Sequence, residues 1–196
     1  MNRELWFPTP IWFDHLEISN LNEIEHYCLQ KEKTEPTDCY SNVNGWQKEF
    51  DLNDVVFLEL QSKIDEKIEE IAGEYNIKSS ISVKRQLSWM NVNRKGSYNH
   101  VHIHPRKFLS AVFYVTAPEN CGEIVFEDSR LQRSSHEPSN WFSEMNPLTF
   151  HSTGYIPEVG KLVVFPSWVK HYVTQSLSDE PRISLAFDYK VFYESD

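Results

Sequence analysis

Three of the chain's eight histidines fall within five residues, in Tyr98-Asn-His100-Val-His102-Ile-His104-Pro105. Side chains alternate between faces in an extended strand, so His100, His102 and His104 are expected on one side and Val101 and Ile103 on the opposite, apolar side. Histidines at positions i and i+2 can bind one metal ion together, and imidazole suits the borderline metals Fe, Zn, Cu and Ni. The plain alternative is a polar strand face with exposed imidazoles. A metal site also needs a ligand from a distant strand. His171, 69 residues after His102 in Phe165-Pro-Ser-Trp-Val-Lys-His171, is the best placed, because it follows directly on a β-rich run where a barrel rim would sit. His136 and His151, both in a long polar stretch, are secondary candidates.

Eleven residues beyond His171 stands Arg182-Ile-Ser184-Leu-Ala-Phe-Asp188. Alternation sets Arg182 and Ser184 on one face and Ile183, Leu185 and Phe187 on the other. An arginine facing a barrel interior requires an anionic partner, because an unpaired buried charge is costly. Its guanidinium fork matches a carboxylate, and a neighbouring hydroxyl adds a further hydrogen bond, which together would make a seat for a dicarboxylate. The competing reading is a salt bridge from Arg182 to a protein acid such as Asp188.

These residues must be positioned by the elements around them. Asn20-Leu-Asn-Glu23 reads as a helix start with an acceptor at the cap and a carboxylate three residues on, followed by Leu21, Ile24 and Cys28 on one face. Phe57, Leu60, Ile64, Ile68, Ile71 and Tyr75 recur at helical spacing among polar residues and predict a second helix covering one side of a sheet. From Ile81 the period changes to two. Ile81, Val83, Leu87 and Trp89 alternate with polar residues, and β-rich runs follow at 108–115, 123–126, 161–165 and 182–189. Helices collected at the N-terminal side of separate β-runs suggest an antiparallel barrel or sandwich buttressed by helices. The stretch from Asp128 to Gly160, with Trp141 and Phe142 at its middle, is long enough to be a lid or binding loop and is expected near the site; a surface excursion is the alternative.

Composition narrows the function classes. The chain has 196 residues with no composition break, 40% hydrophobic content, six Trp, nine Tyr and twelve Phe, which predicts one packed domain over 1–196. Within it, 1–80 would be helical support and 81–196 the β core. A formal charge of −10 repels phosphate backbones and argues against nucleic acid as a partner. Neither a signal-peptide-like run at the start nor a membrane-spanning stretch is found, so a soluble, cytoplasmic protein is expected. Cys28, Cys39 and Cys121 form no CxxC pair and indicate neither a disulfide framework nor a thiolate zinc site. The composition leaves the oligomeric state open.

The paired His-x-ligand segment, the distal His and the Arg-x-Ser resemble the Fe(II)/2-oxoglutarate-dependent oxygenases, the superfamily that includes prolyl hydroxylases. More narrowly, the chain is similar to a family of 2-oxoglutarate-Fe(II) oxygenases common in bacteria and tailed phages. The similar segments are Leu5-Trp-Phe-Pro-Thr-Pro-Ile11, Ser41-Asn-Val-Asn-Gly-Trp-Gln47, Ser88-Trp-Met-Asn91 and His102-Ile-His-Pro105. Leu109-Ser-Ala-Val-Phe-Tyr-Val115, Gly160-Lys-Leu-Val-Val-Phe-Pro-Ser-Trp168, His171 and Arg182-Ile-Ser184 complete them. The resemblance implies a mainly β fold with N-terminal helices, a double-stranded β-helix (jelly-roll) barrel. It implies Fe(II) held by His102, His104 and His171, and 2-oxoglutarate bound by Arg182 and Ser184, with Asn99 and Tyr114 as further donors. The chemistry implied is O2-dependent oxidation, by default hydroxylation, of a small-molecule or peptide substrate, coupled to decarboxylation of 2-oxoglutarate to succinate.

The sequence departs from that superfamily at one point, having His104 where Asp or Glu usually stands as second ligand. His104 could ligate directly, Asp128 could swing in, or His100 and His102 could be the pair; the set His102, His104 and His171 best fits the spacing to the following strand. Two other functions compete: a three-histidine cupin-like dioxygenase that needs no co-substrate, and a metal-stabilised jelly-roll binding protein without chemistry.

Overall fold

A strand that alternates apolar and polar side chains can satisfy two environments at once, and this chain uses that property twice over. The computed structural model describes all residues except 39, 52, 131–136, 138 and 194–196, so Cys39 and His136 lie outside the described residues. Eleven strands occur among those described: β1 Trp12–His15, β2 Asn42–Val43, β3 Trp46–Glu49, β4 Ile81–Asn93, β5 Tyr98–His102, β6 Leu109–Thr116, β7 Ile124–Glu127, β8 Ser152–Tyr155, β9 Lys161–Pro166, β10 His171–Val173 and β11 Arg182–Tyr193. Two helices precede β4, α1 Leu21–Thr34 and α2 Leu58–Glu74. The strands form a six-stranded sheet in the order β1-β9-β6-β11-β4-β3 and a five-stranded sheet in the order β2-β5-β10-β7-β8, with antiparallel pairing throughout. This is the expected jelly roll, mainly β with two N-terminal helices. The first 80 residues also supply β1, β2 and β3, which pair into both sheets.

The large sheet buries both faces. Its outer face carries Met90 and Val92 of β4, Leu109, Ala111 and Phe113 of β6, Leu162 and Val164 of β9, and Ile183, Leu185 and Phe187 of β11, packed in one cluster with Ile24 and Cys28 of α1 and Leu60, Ile64, Ile68 and Ile71 of α2. Its inner face meets the small sheet around Tyr114, Ile124, Phe126, Val163, Phe165 and Val169. Along each strand, one side chain therefore goes to the helices and the next to the space between the sheets.

Two local expectations are corrected. Asn20 starts α1 through its backbone carbonyl, which accepts from the amides of Glu23 and Ile24, but its side chain makes no cap; Nδ2 instead donates to the Val56 carbonyl, 2.9 Å away, and that tether holds the amide off the helix end. Ile81, Val83, Leu87 and Trp89 do not share a face. The β4–β11 register shifts between Asp188, opposite Leu87, and Tyr189, opposite Arg85, which leaves Gln86 as an extra residue. The bulge turns Val83 and Arg85 toward the helix side, where Arg85 pairs with Asp65 of α2 at 3.3 Å, while Leu87 and Trp89 face the opening between the sheets.

Because α2 seals the large sheet, truncating a fully buried residue on its inner face should be felt throughout. Ile64→Ala is expected to lower unfolding free energy by about 2–5 kcal/mol, measured as a lower urea midpoint with an unchanged slope.

Candidate active site

β5 and β10 are hydrogen-bonded neighbours, and their register sets His102 directly opposite His171. Opposed residues in an antiparallel pair bring their side chains together, and here the two imidazole centroids are 4.2 Å apart. The chain leaves the strand after His102, and the amide of His104 donates to the Ser167 carbonyl at 2.9 Å, which swings His104 back over the same spot. Its ring lies 5.2 Å from that of His102 and 5.1 Å from that of His171. One ligand atom from each of the three lies within 4.8 Å of the others.

Each ring is also oriented by its other nitrogen. Nδ1 of His102 faces the His100 carbonyl at 2.7 Å, and Nδ1 of His171 faces the Val169 carbonyl at 2.9 Å. A carbonyl can only accept, so Nδ1 carries the proton in both rings and Nε2 keeps its lone pair, which in His102 faces the Ser41 hydroxyl at 3.3 Å. Nδ1 of His104 lies 2.6 Å from Asp188 Oδ1, which fixes the same tautomer. Burial pushes His171 down to about 3, with the neighbouring His102 adding to the effect, and burial also lowers His102. Both therefore stay neutral and able to donate a lone pair at neutral pH.

Asp188 sits near the middle of β11 and is buried. Besides His104 it accepts from Ser110 Oγ at 2.7 Å, and Ser110 in turn bonds Ser167 Oγ at 2.8 Å. It has no Lys or Arg partner among the described residues. A buried carboxylate without a cation is costly, and the cationic partner its surroundings provide for is a metal ion on the far nitrogen of His104.

Six residues back along β11, roughly 20 Å of extended strand away, Arg182 has the opposite problem. It is 2% exposed, its Nη1 donates to the carbonyls of Cys121 and Gly122 at 2.9 and 3.1 Å, and its Nε has no partner. Gly122 makes that approach possible: its φ is +82°, and a Cβ there would run into the Thr174 carbonyl and lie 3.3 Å from Arg182 Nη1. Arg182 and Ser184 line a cleft between the sheets together with Asn91, Asn93, Asn99 and Tyr114, and the three histidines line the same cleft. Burial pushes the Tyr114 phenol up to about 12, so it remains a donor. Arg182 is not paired with Asp188; the competing reading of that arginine is removed, since Arg182 donates to the Cys121 and Gly122 carbonyls while Asp188, six residues further along β11, meets His104.

The sequence-derived candidates thus separate cleanly. His102, His104, His171, Arg182, Ser184, Asn99 and Tyr114 come together around one cleft. His100 does not join them; it is exposed and edge-on to Tyr98 at 5.2 Å. Val101 and Ile103 are 51% and 43% exposed rather than packed on an apolar side. Asp128 is held by Arg130, with Nε and Nη2 at 2.9 and 2.8 Å from its two oxygens, and is not part of the cluster. His151 lines a separate pocket beside the N-terminal Trp6 and Phe7, and the described part of the long stretch, with exposed Trp141, stays outside the histidine cleft. Sequence reasoning missed Ser41, Asn91 and Asn93 as cleft residues and Asp188 as the partner of His104. The two asparagines had a signal, as they continue the face of Trp89 along β4.

Solved structures with the same fold include a prolyl-4-hydroxylase from Pseudomonas putida, with 14% identity over 93% of this chain and 92% of that one and a TM-score of 0.67. A viral collagen prolyl hydroxylase from Paramecium Bursaria Chlorella virus-1, solved as a 2OG complex, matches with 15% identity over 91% and 94% of the chains and a TM-score of 0.63. The epimerase SnoN of nogalamycin biosynthesis, solved with Fe3+ and alpha ketoglutarate, matches with 13% identity over 95% and 82% and a TM-score of 0.70. No curated protein sequence matches the chain. The sequence model of a family described as "Putative 2OG-Fe(II) oxygenase" matches residues 87–188, a span that contains all three histidines, Arg182, Ser184 and Asp188. The chain belongs to that family.

The 2OG-Fe(II) oxygenase therefore uses Fe(II) and 2-oxoglutarate. The residues present fit both groups. Three oriented imidazole lone pairs next to an uncompensated carboxylate suit a divalent borderline metal, and a buried guanidinium with an unused Nε suits a carboxylate. Among the described residues no helix is long and apolar enough to cross a membrane.

Asp188 both orients His104 and contributes charge. Asp188→Asn keeps an acceptor but removes the charge, and is expected to weaken Fe(II) or Co(II) affinity about 10–100-fold in anaerobic titration, with little change in the far-ultraviolet circular dichroism.

Proposed function

We propose that this oxygenase hydroxylates a C–H bond of a small-molecule or peptide substrate, holding Fe(II) on His102, His104 and His171 and the distal carboxylate of 2-oxoglutarate on Arg182 and Ser184. The observation that carries the reading is a pair of buried charges with no Lys, Arg, Asp or Glu partner among the described residues, a carboxylate behind the His104 imidazole and a guanidinium lining the histidine cleft. A metal dication and a dicarboxylate supply the two missing partners with the right signs and in the right order. When bound, iron and 2-oxoglutarate supply reductive activation of O2, coupling loss of CO2 from the keto acid to oxidation of the substrate.

The protein's residues do the positioning. Arg182 donates through Nε and its unused guanidinium hydrogens, and Ser184, one alternation further along the same strand, presents a hydroxyl to the same carboxylate. Tyr114 and Asn99 line the path between Arg182 and the histidines and act as donors to the co-substrate's oxygens. The surrounding Val112, Ile124, Phe165 and Val173 keep that end of the cleft apolar, which strengthens these contacts by excluding water. We further read the chain as a single unit in which 1–80 buttresses the oxygenase core of 81–196, acting in the cytoplasm. A dioxygenase without co-substrate would leave Arg182 as an unpaired buried cation, and family membership gives that reading no support.

Anaerobic addition of Fe(II) and then 2-oxoglutarate should produce the weak visible charge-transfer absorption of a keto acid chelated to iron. Arg182→Ala should require at least about tenfold more 2-oxoglutarate to reach the same absorption, the loss expected for a charge-assisted hydrogen-bond pair, while Fe(II) binding changes little. An unchanged 2-oxoglutarate requirement in that variant would remove the assignment.

A further inference from the structure

A second cleft, of about 520 Å3, opens on the outer side of His102 and His104 and shares Ser41 and Trp89 with the co-substrate cleft. Its volume lies in the range of small-ligand sites, enough for one extended side chain or a small metabolite. Its walls are Leu87 and Trp89 of β4, Gln47 and Glu49 of β3, and the otherwise unexplained exposed Val101 and Ile103. We infer that this cleft is the substrate chamber and that it takes an aliphatic cation, an ammonium-bearing chain such as a lysine-like side chain or a free alkylamine. The inference rests on the oxygenase reading above and specifies its substrate.

Charge and hydrogen bonding both point to a cationic donor. Asp188, at the back, is engaged by His104 and Ser110. Lys107 lines the cleft and donates to the neutral Gln86. Glu49 is left without an ion-pair partner among the described residues and is touched only by the Tyr40 hydroxyl, which donates to Oε1 at 3.3 Å, and through its backbone amide by Asp38. Asp38 itself is neutralised by Lys48 at 3.0 Å, so Glu49 is the open carboxylate of this wall. Beside it, Gln47 is only 3% exposed and its Oε1 has no hydrogen-bond partner. A buried acceptor without a donor is a standing cost that an incoming N–H relieves. Trp89 and Tyr40 add aromatic faces, which attract cations. Lengthwise, Leu87, Val101 and Ile103 would bury a methylene stem and leave a carbon of that stem near the histidines.

The edge of β3 is closed to an alternative. The Gln47 amide donates to Thr37 Oγ1, its carbonyl accepts from the Asp38 amide, and the Glu49 amide donates to Asp38, so these backbone groups are not available to pair with an added peptide strand. Recognition at this chamber therefore runs through side chains.

The test is calorimetric titration of the anaerobic Fe(II)- and 2-oxoglutarate-loaded protein with four probes: Nα-acetyl-lysine methylamide, n-hexylamine, and the norleucine and glutamate analogues of the first. At least one amine should bind about five- to tenfold more tightly than the norleucine analogue, as an exposed ion pair plus a cation–π contact allow, and the glutamate analogue should bind most weakly. The tighter of the two amines tells whether a peptide-borne or free amine is favoured. Glu49→Gln should bring the amines and norleucine analogue close to parity, and Glu49→Lys should move the preference to the glutamate analogue. Equal binding of amine and norleucine probes, or a preference that survives Glu49→Gln, would overturn the inference. The visible absorption of the iron-bound keto acid, recorded on the same wild-type sample, separates this from the oxygenase reading. Absorption without amine preference overturns only the chamber's specificity, whereas amine preference without absorption leaves an amine site and removes the oxygenase chemistry.

Discussion

Two opposite charges are buried on one strand with no Lys, Arg, Asp or Glu partner among the described residues, and the arrangement of the sheets keeps them apart. Arg182 and Asp188 both point into the space between the sheets because they are an even number of residues apart on β11, and the residues between them that face the helices are Ile183, Leu185 and Phe187. Folding cannot bring the two charges together, since an extended strand fixes their separation at roughly 20 Å. Each must then be neutralised by something that is not part of the chain or stay as a liability. A cleft lined by a guanidinium and by imidazoles, one of them backed by a carboxylate, selects for ligands before any specific contact is counted.

Such a site can persist only on a scaffold with stability to spare. The outer face of the large sheet is where that stability is generated: an uninterrupted apolar layer from β4, β6, β9 and β11 is sealed by α1 and α2. The inner face is divided, with Tyr114, Phe126, Val163 and Phe165 packing at one part and the polar cleft occupying another. Function and stability are thus assigned to opposite faces of the same strands. The bulge at Gln86 marks where this division changes along β4, because beyond it Arg85 and Val83 belong to the helix side.

Much of this was legible in the sequence because it depends on periodicity. The α2 face from Leu60 to Ile71, the strand boundaries near Leu109, Ile124, Lys161 and Arg182, and the facing of Arg182 and Ser184 all follow from spacings of two or of three and four. The histidine cluster was legible for a different reason, as His102, His104 and His171 stand out by residue type. What could not be read was anything set by pairing between distant segments. The bulge at Gln86 is a property of β4 against β11, the position of Ser41 and Gln47 beside the cleft comes from β2 and β3 closing the edges of two sheets, and the loss of His100 from the cluster follows from the shift in the β5–β10 register between Asn99 and His102. Asp188 was visible in the sequence and was weighed as a partner for Arg182. Only the three-dimensional register shows that it faces His104 instead.

That last point changes how the three-histidine set should be understood. An imidazole in the second ligand position brings no charge of its own, which would leave the metal less neutralised than a carboxylate ligand does. Here a carboxylate is present one hydrogen bond further out, 2.6 Å from the Nδ1 of that histidine and anchored by Ser110, which Ser167 anchors in turn. A carboxylate behind a ligating imidazole raises its basicity and returns part of the missing negative charge through the ring. The ligand's position in space is constrained as well, since the amide of His104 is bonded to Ser167, the same residue whose hydroxyl closes the Asp188 network. In the proposed three-histidine set, Asp188 would thus return through His104 part of the charge that a carboxylate ligand would bring.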